Sequence, residues 1–167
     1  MKQFIFLLGL LCTQLVFGQD DLMRLLDKHN DHSVAYISAE MLNQFQNKGQ
    51  SYVILDSREL NEYNTSHIPD AIYIGYQDFD IQDLATLAID FDTPIVVYCT
   101  IGVRSENIGE QLQDLGYANV YNLFGGIISW KNNQLPVVDN NQNRTEQVHV
   151  YGKKWQKWLT NGTPVYD

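Results

Sequence analysis

The sequence predicts an α/β fold in three layers, in which a central, mostly parallel sheet is flanked by helices. The main observation is that short apolar runs alternate with helical patterns over residues 52–131. This alternation is typical of parallel sheets, because each return crossing is made by a helix. The size and composition agree, because 167 residues with 44% hydrophobic side chains can build the core of one domain.

The predicted elements follow in chain order. Apolar runs bounded by polar residues predict the strands Tyr52–Leu55, Ala71–Ile74, Pro94–Tyr98 and Asn119–Leu123. Helical spacing of apolar residues predicts the helices Asp20–His29, Ser38–Phe45, Asp83–Ile89, Ser105–Leu115 and Ile127–Lys131. Ser38 is suited to cap its helix, and Gly116 to end the fourth one, whose apolar face is Ile108, Leu112 and Leu115.

The N-terminus is predicted to be a signal peptide comprising residues 1–18. Lys2 supplies a positive charge, Phe4–Phe17 is largely apolar, and Gly18 is a suitable cleavage position. The apolar run is shorter than the roughly 20 residues that span a bilayer, so a retained membrane anchor is the weaker alternative. We therefore expect an exported protein, periplasmic or extracellular, with a main domain at residues 19–139.

Residues 140–167 form a C-terminal extension that we expect to pack on the main domain. Asn140–Thr145 is a polar linker, Val148–Tyr151 alternates like a strand, and Trp155, Trp158 and Leu159 fit one helical face. The intervening lysines would stay in water. A membrane surface or an acidic partner is the alternative for this basic, aromatic segment, although three lysines are few for such binding.

Charge excludes one class of partner. The net charge is -9 and the isoelectric point is about 4.7, whereas nucleic-acid phosphates require a basic stripe. Nucleic acid is therefore not an expected partner, and membrane contact is not expected once the leader is removed. The oligomeric state is left open.

Cys99 is the only cysteine that remains after the predicted leader, so no intramolecular disulfide can form. It ends the apolar run 94–98, at the sheet edge where parallel sheets bind ligands. The loop Thr100, Ile101, Gly102 and Val103 follows, and then Arg104, the only lysine or arginine between Glu59 and Trp130. Inward-facing amides, the helix N-terminus and Arg104 would lower the pKa of the Cys99 thiol. A buried core cysteine is the alternative.

Three segments together resemble the rhodanese-like sulfurtransferases. They are Leu55-Asp-Ser-Arg-Glu-Leu-Asn-Glu-Tyr63 with Ser66-His-Ile-Pro-Asp-Ala71, then Val97-Tyr-Cys-Thr-Ile-Gly-Val-Arg-Ser105, then Gly116-Tyr-Ala-Asn-Val-Tyr-Asn-Leu-Phe-Gly-Gly-Ile-Ile-Ser-Trp130. The resemblance implies the rhodanese-like three-layer fold. It also implies that Cys99 is the catalytic nucleophile, which accepts sulfur from a thiosulfate-like anion as a persulfide and passes it to a thiol or cyanide.

The resemblance assigns Arg104 to the donor's oxygens and the amides of Thr100, Ile101, Gly102 and Val103 to the persulfide. No cofactor is expected. No metal is expected either, because His29, His32 and His149 are scattered and a single cysteine forms no zinc pattern. Two other functions remain as alternatives. A noncatalytic rhodanese-fold module could bind a partner or carry sulfur, and a phosphatase of the same fold is disfavoured because its loop has five residues between cysteine and arginine, whereas this loop has four.

The remaining polar residues around the loop are expected to be structural. Asp56 and Arg58 would fix the end of a core strand, Glu62 could pair with Arg58, and Ser105 would cap a helix. His67, in the His-Ile-Pro segment, is a structural signature of this family.

Overall fold

The computed structural model describes residues 21–167, so the predicted leader and Cys12 lie outside the described residues. Two compact units divide between Asp31 and His32. In the first unit the described residues 21–29 form helix α1, in agreement with the predicted helix. Within residues 21–167, no helix combines the length and apolar character that crossing a membrane requires.

The second unit is built on a five-stranded sheet in the order β1-β5-β4-β2-β3, and every neighbouring pair in it is parallel. The strands are β1 Ala35–Ile37, β2 Val53–Asp56, β3 Ile72–Tyr73, β4 Ile95–Tyr98 and β5 Val120–Leu123. The predicted α/β class and parallel sheet are therefore confirmed. Strand β1, only three residues long, was not predicted.

Helices flank this sheet. The α-helices are α2 Ala39–Asn47, α3 Leu60–Thr65, α4 Arg104–Asp114 and α5 Gly126–Asn132, and Ile81–Leu87 is a 3-10 helix. Ser38 caps α2 by accepting a hydrogen bond from the Met41 amide at 3.2 Å, as predicted. Helix α3 was not predicted, because its sequence carries no apolar periodicity.

The core lies on the central strands. All four residues of β4 are buried. Two of them, Ile95 and Val97, belong to a hydrophobic cluster that also includes Leu55, Ile108 and Leu112. Leu115 was predicted to share the buried face of α4, but it is exposed because the helix ends before it, at Asp114. The sheet edge at which β4 ends is therefore supported by buried, packed residues.

The C-terminal extension differs from the prediction at its start. Residues 140–143 are not a linker but the turn of a hairpin, because β6 Val137–Val138 pairs antiparallel with β7 Arg144–Thr145. Next, β8 Gln147–His149 pairs in parallel with β9 Thr163–Val165 and contacts α3. Between them Lys153–Trp158 forms a 3-10 helix in which Trp155 and Trp158 are half-buried and the lysines are exposed.

Candidate active site

Cys99 lies immediately after β4, at the carboxyl edge of the sheet, and only 1% of it is exposed. Its Sγ accepts a hydrogen bond from the amide of Gly102 at 3.2 Å. Gly102 has a φ of 108°, a conformation that side chains disfavour. The loop of residues 100–103 therefore curls back on the sulfur, as the glycine and the strand end predicted.

The environment favours the ionised form of this sulfur. Burial raises the pKa of the Cys99 thiol, but the positive charge of Arg104 and hydrogen bonds from Ser105 and from the Gly102 amide outweigh burial, so the pKa lies below its ordinary value. A lower pKa places more of the cysteine in the nucleophilic thiolate form at neutral pH.

Ser105 and Asn122 form a buried network behind the loop. The Ser105 hydroxyl lies 3.6 Å from Cys99 Sγ and 2.8 Å from Asn122 Oδ1. The Asn122 amide donates to the Gly102 carbonyl at 2.8 Å and to Glu106 at 2.9 Å. The prediction that Ser105 caps α4 is wrong, because the helix begins one residue earlier and turns this hydroxyl toward the sulfur.

Arg104 is held by a carboxylate of α3. Its two terminal nitrogens lie 2.6 and 2.8 Å from the two oxygens of Glu62, and one of them donates to Thr100 Oγ1 at 2.9 Å. Thr100 in turn donates to Glu62 at 2.9 Å. Glu62 was expected to pair with Arg58, but its carboxylate accepts hydrogen bonds from Arg104, from Thr100 and from the backbone amide of Glu59.

Two tyrosines flank the same guanidinium. The Arg104 carbon Cζ lies 5.0 Å from the ring centre of Tyr151 and 6.0 Å from that of Tyr76. Tyr151 belongs to the C-terminal extension and adopts a positive φ of 65°. These rings and the Glu62 carboxylate lie against Arg104, and only 15% of its side chain is exposed.

A buried ion pair fixes the neighbouring end of β2. Arg58 donates through Nε and Nη2 to Asp56, with the shortest contact at 2.7 Å, and Nη2 also donates to the Ser66 carbonyl at 2.6 Å. The Tyr98 hydroxyl donates to Asp56 as well. The expected pairing of Asp56 with Arg58 is therefore observed, and it joins β2 to β4 next to Cys99.

The N-terminus of α5 supports the loop from the opposite side. The amides of Ile127 and Ile128 donate to the carbonyls of Cys99 and Thr100 at 3.0 and 3.3 Å. Gly126 makes this approach possible, since a Cβ atom there would lie 2.2 Å from the Cys99 carbonyl oxygen. Contact with the cysteine loop thus explains the glycine at position 126.

The predicted site residues are consecutive: Cys99 and the loop 100–103 lead into Arg104, the first residue of α4, and the Gly102 amide donates to the sulfur. Ile101 is buried and Val103 is half-buried. His67 lies apart from them, stacked on Tyr63 with ring centres 3.9 Å apart and bridged to Val138. Sequence reasoning missed Asn122 and Tyr151. A polar residue near the end of an apolar strand was the available signal for Asn122, whereas no sequence signal pointed to Tyr151. Among residues 21–167, no cluster of three or more His, Cys, Asp or Glu side chains could hold a metal ion.

Comparison with known proteins places this loop in a family. The profile of the rhodanese-like domain matches residues 38–133. Thiosulfate sulfurtransferase GlpE of Haemophilus influenzae is 35% identical over 89 residues, which cover 53% of this chain and 81% of that protein. GlpE of Coxiella burnetii is 32% identical over 96 residues, which cover 58% of this chain and 86% of that protein.

Solved structures agree on the architecture. The rhodanese-like domain of an Anabaena protein superposes with a TM-score of 0.57 and 26% identity, covering 66% of this chain and 83% of that one. A thiosulfate sulfurtransferase from Pseudomonas aeruginosa gives a TM-score of 0.61 at 24% identity, covering 86% of this chain and 25% of that one, and supports the fold alone. From its fold, its cysteine loop and its relatives, the chain belongs to the rhodanese-like domain family and is related to its sulfurtransferases of the GlpE type.

Proposed function

We propose that this protein is a sulfurtransferase that carries sulfane sulfur as a persulfide on Cys99. It takes the sulfur from a thiosulfate-like donor and passes it to a thiol or to cyanide, and the transfer needs no cofactor. The observation that supports this most strongly is the Cys99 sulfur held by the Gly102 amide beside Arg104. These groups favour a thiolate and would also stabilise the negative charge of a persulfide.

The reaction proceeds in two displacements. The Cys99 thiolate attacks the outer sulfur of the donor, a new S–S bond forms, and the old S–S bond breaks as the leaving group departs with its electron pair. With thiosulfate the leaving group is sulfite. In the second step the acceptor attacks the terminal sulfur of the persulfide, and Cys99 leaves as the thiolate.

Mass spectrometry of the intact protein after treatment with thiosulfate tests the proposal. The wild type should gain one sulfur atom, cyanide should remove it, and Cys99→Ala should gain none. A folded wild-type protein without the adduct, whatever the sulfane donor, would instead favour the alternative of a noncatalytic binding module.

Variants of α4 separate the role of Arg104 from a general effect on the helix. Arg104→Ala should slow persulfide formation far more than Asn107→Ala, because Asn107 is exposed on the same helix. Equal rates in the two variants would remove Arg104 from the site.

We also infer that the protein acts outside the cytoplasm, from the leader-like residues 1–18. N-terminal sequencing of the protein recovered from its native host should begin at Gln19, and a chain that retains Met1 or Lys2 would contradict cleavage after Gly18.

A further inference from the structure

Arg104 is the positive charge expected to receive an anionic donor, yet the protein itself already neutralises it. Both of its terminal nitrogens lie within hydrogen-bond distance of Glu62, whose side chain is only 2% exposed. The Arg104 charge and hydrogen bonds hold the pKa of Glu62 below its ordinary value although burial opposes this. The carboxylate is therefore ionised at neutral pH, and the pair carries no net charge.

The other charged groups around the loop make the net charge of the site negative. The Glu59 carboxylate lies 4.0 Å from Arg104 and is 29% exposed. On α4, Glu106 is bound to Asn122 behind the loop. At the end of β2, Arg58 is neutralised by Asp56.

The attacking group adds a further negative charge, because the reaction starts from the Cys99 thiolate. The thiolate and the nearby carboxylates repel an approaching anion, and the repulsion is strongest where water is excluded. Thiosulfate carries two negative charges, so it meets more repulsion at this site than a neutral or singly charged donor does. Arg104, which lies beside two tyrosine rings and is only 15% exposed, has little free surface with which to offset this repulsion.

We propose that Glu62 sets the donor preference of this site by neutralising Arg104, so that the protein takes sulfur from donors with at most one negative charge, alkyl hydropersulfides in particular, in preference to thiosulfate. This inference rests on the proposed persulfide chemistry. The Cys99 thiolate attacks the outer sulfur of R–S–SH, the donor's S–S bond breaks, and the leaving thiolate R–S⁻ takes up the proton released by the new persulfide. No oxidant or reductant is needed.

A ladder of donors tests the charge dependence. The rates of Cys99 persulfide formation are measured with thiosulfate (two charges, sulfite leaving), methanethiosulfonate (one charge, methanesulfinate leaving) and the hydropersulfide of 2-mercaptoethanol (uncharged when protonated, one charge when ionised). Each rate is divided by the rate of the same donor with a free thiol, which removes the intrinsic reactivity. The normalised kcat/KM should rise as donor charge falls.

Removal of the carboxylate charge provides the decisive comparison. Glu62→Gln keeps an acceptor for Arg104 and should raise the ratio of thiosulfate to methanethiosulfonate rates by about tenfold, the effect expected when one nearby unit charge is removed. Glu59→Gln, at a more exposed carboxylate, should raise it less. Asp114→Asn, exposed at the far end of α4, changes the net charge equally and should leave the ratio unchanged.

Ionic strength gives a readout on the unaltered protein. If the site is negative, added salt screens the repulsion and raises the thiosulfate rate relative to that of methanethiosulfonate. A fall in this ratio with salt, or an unchanged ratio in Glu62→Gln, would overturn the donor preference while leaving the proposed function intact. Absence of a persulfide with every donor would overturn the proposed function itself.

Discussion

The close contact at Gly126 allows the support of the cysteine loop to be measured. In Gly126→Ala the new Cβ would lie 2.2 Å from the Cys99 carbonyl oxygen and 2.7 Å from the carbonyl carbon and oxygen of Thr100. These are backbone atoms, so relief requires that the N-terminus of α5 and the loop move apart. The residue also has a positive φ of 53°, which disfavours alanine.

The loss of stability expected in Gly126→Ala has two parts. A left-handed alanine costs about 1 kcal/mol, and loss of the hydrogen bonds from the Ile127 and Ile128 amides costs about 1 kcal/mol each. We therefore expect Gly126→Ala to lower the free energy of unfolding by about 3 kcal/mol. Because the affected carbonyls belong to Cys99 and Thr100, the variant should also lose the low pKa of the thiol.

Gly49→Ala is the matched control. Gly49 has a similar φ of 63°, but a Cβ there would meet no atom within 4 Å, so only the conformational cost of about 1 kcal/mol applies. Urea unfolding of the two variants measures the difference directly. Equal losses of stability would refute the view that contact with the cysteine loop is what requires glycine at position 126.

Three further predictions follow from the site and from the extension. The alkylation rate of Cys99 should reach half its plateau at a pH below the pKa of a free cysteine, which is about 8.5. Arg104→Ala should raise this midpoint, because the variant loses the largest influence that lowers the pKa of the thiol. A wild-type midpoint equal to that of free cysteine would contradict the thiolate assignment. Asn122→Ala should lower the free energy of unfolding by about 2 kcal/mol, because it removes two buried hydrogen bonds, one from the Ser105 hydroxyl and one to the Gly102 carbonyl, and urea unfolding measures this. Deletion of residues 140–167 should lower the melting temperature in calorimetry, because β8 contacts α3, and the full-length protein should not sediment with anionic vesicles; an unchanged melting temperature together with vesicle binding would favour the membrane alternative.

Local sequence patterns predicted the strand that precedes Cys99, the turn at Gly102 and the parallel sheet. These features depend on apolar runs and on a glycine within a few residues, which a single sequence displays. Strand β1 and helix α3 were missed because each is short and lacks a clear period. Strand β1 depends on its pairing with β5, whereas α3 begins at a capping box formed by Glu59 and Glu62.

The partners of the site residues were harder to predict. Glu62 is separated from Arg104 by 42 positions, and a choice between Arg58 and Arg104 as its partner cannot be made from spacing. Ser105 follows the loop where a helix cap is expected, but α4 starts at Arg104, and this shift of one residue turns the hydroxyl from capping to contact with the sulfur. Long-range contact decided the partner of Glu62, and the exact start of α4 decided the role of Ser105.

The contact between Tyr151 and Arg104 means that the candidate site extends beyond residue 133, where the match to the rhodanese-like profile ends. A fragment trimmed to residues 38–133 would retain the cysteine loop but lack one of the two rings that cover the guanidinium. Activities measured on such a fragment would describe a site with a more open arginine. Assays on relatives of this protein should therefore use chains that include their own C-terminal extensions.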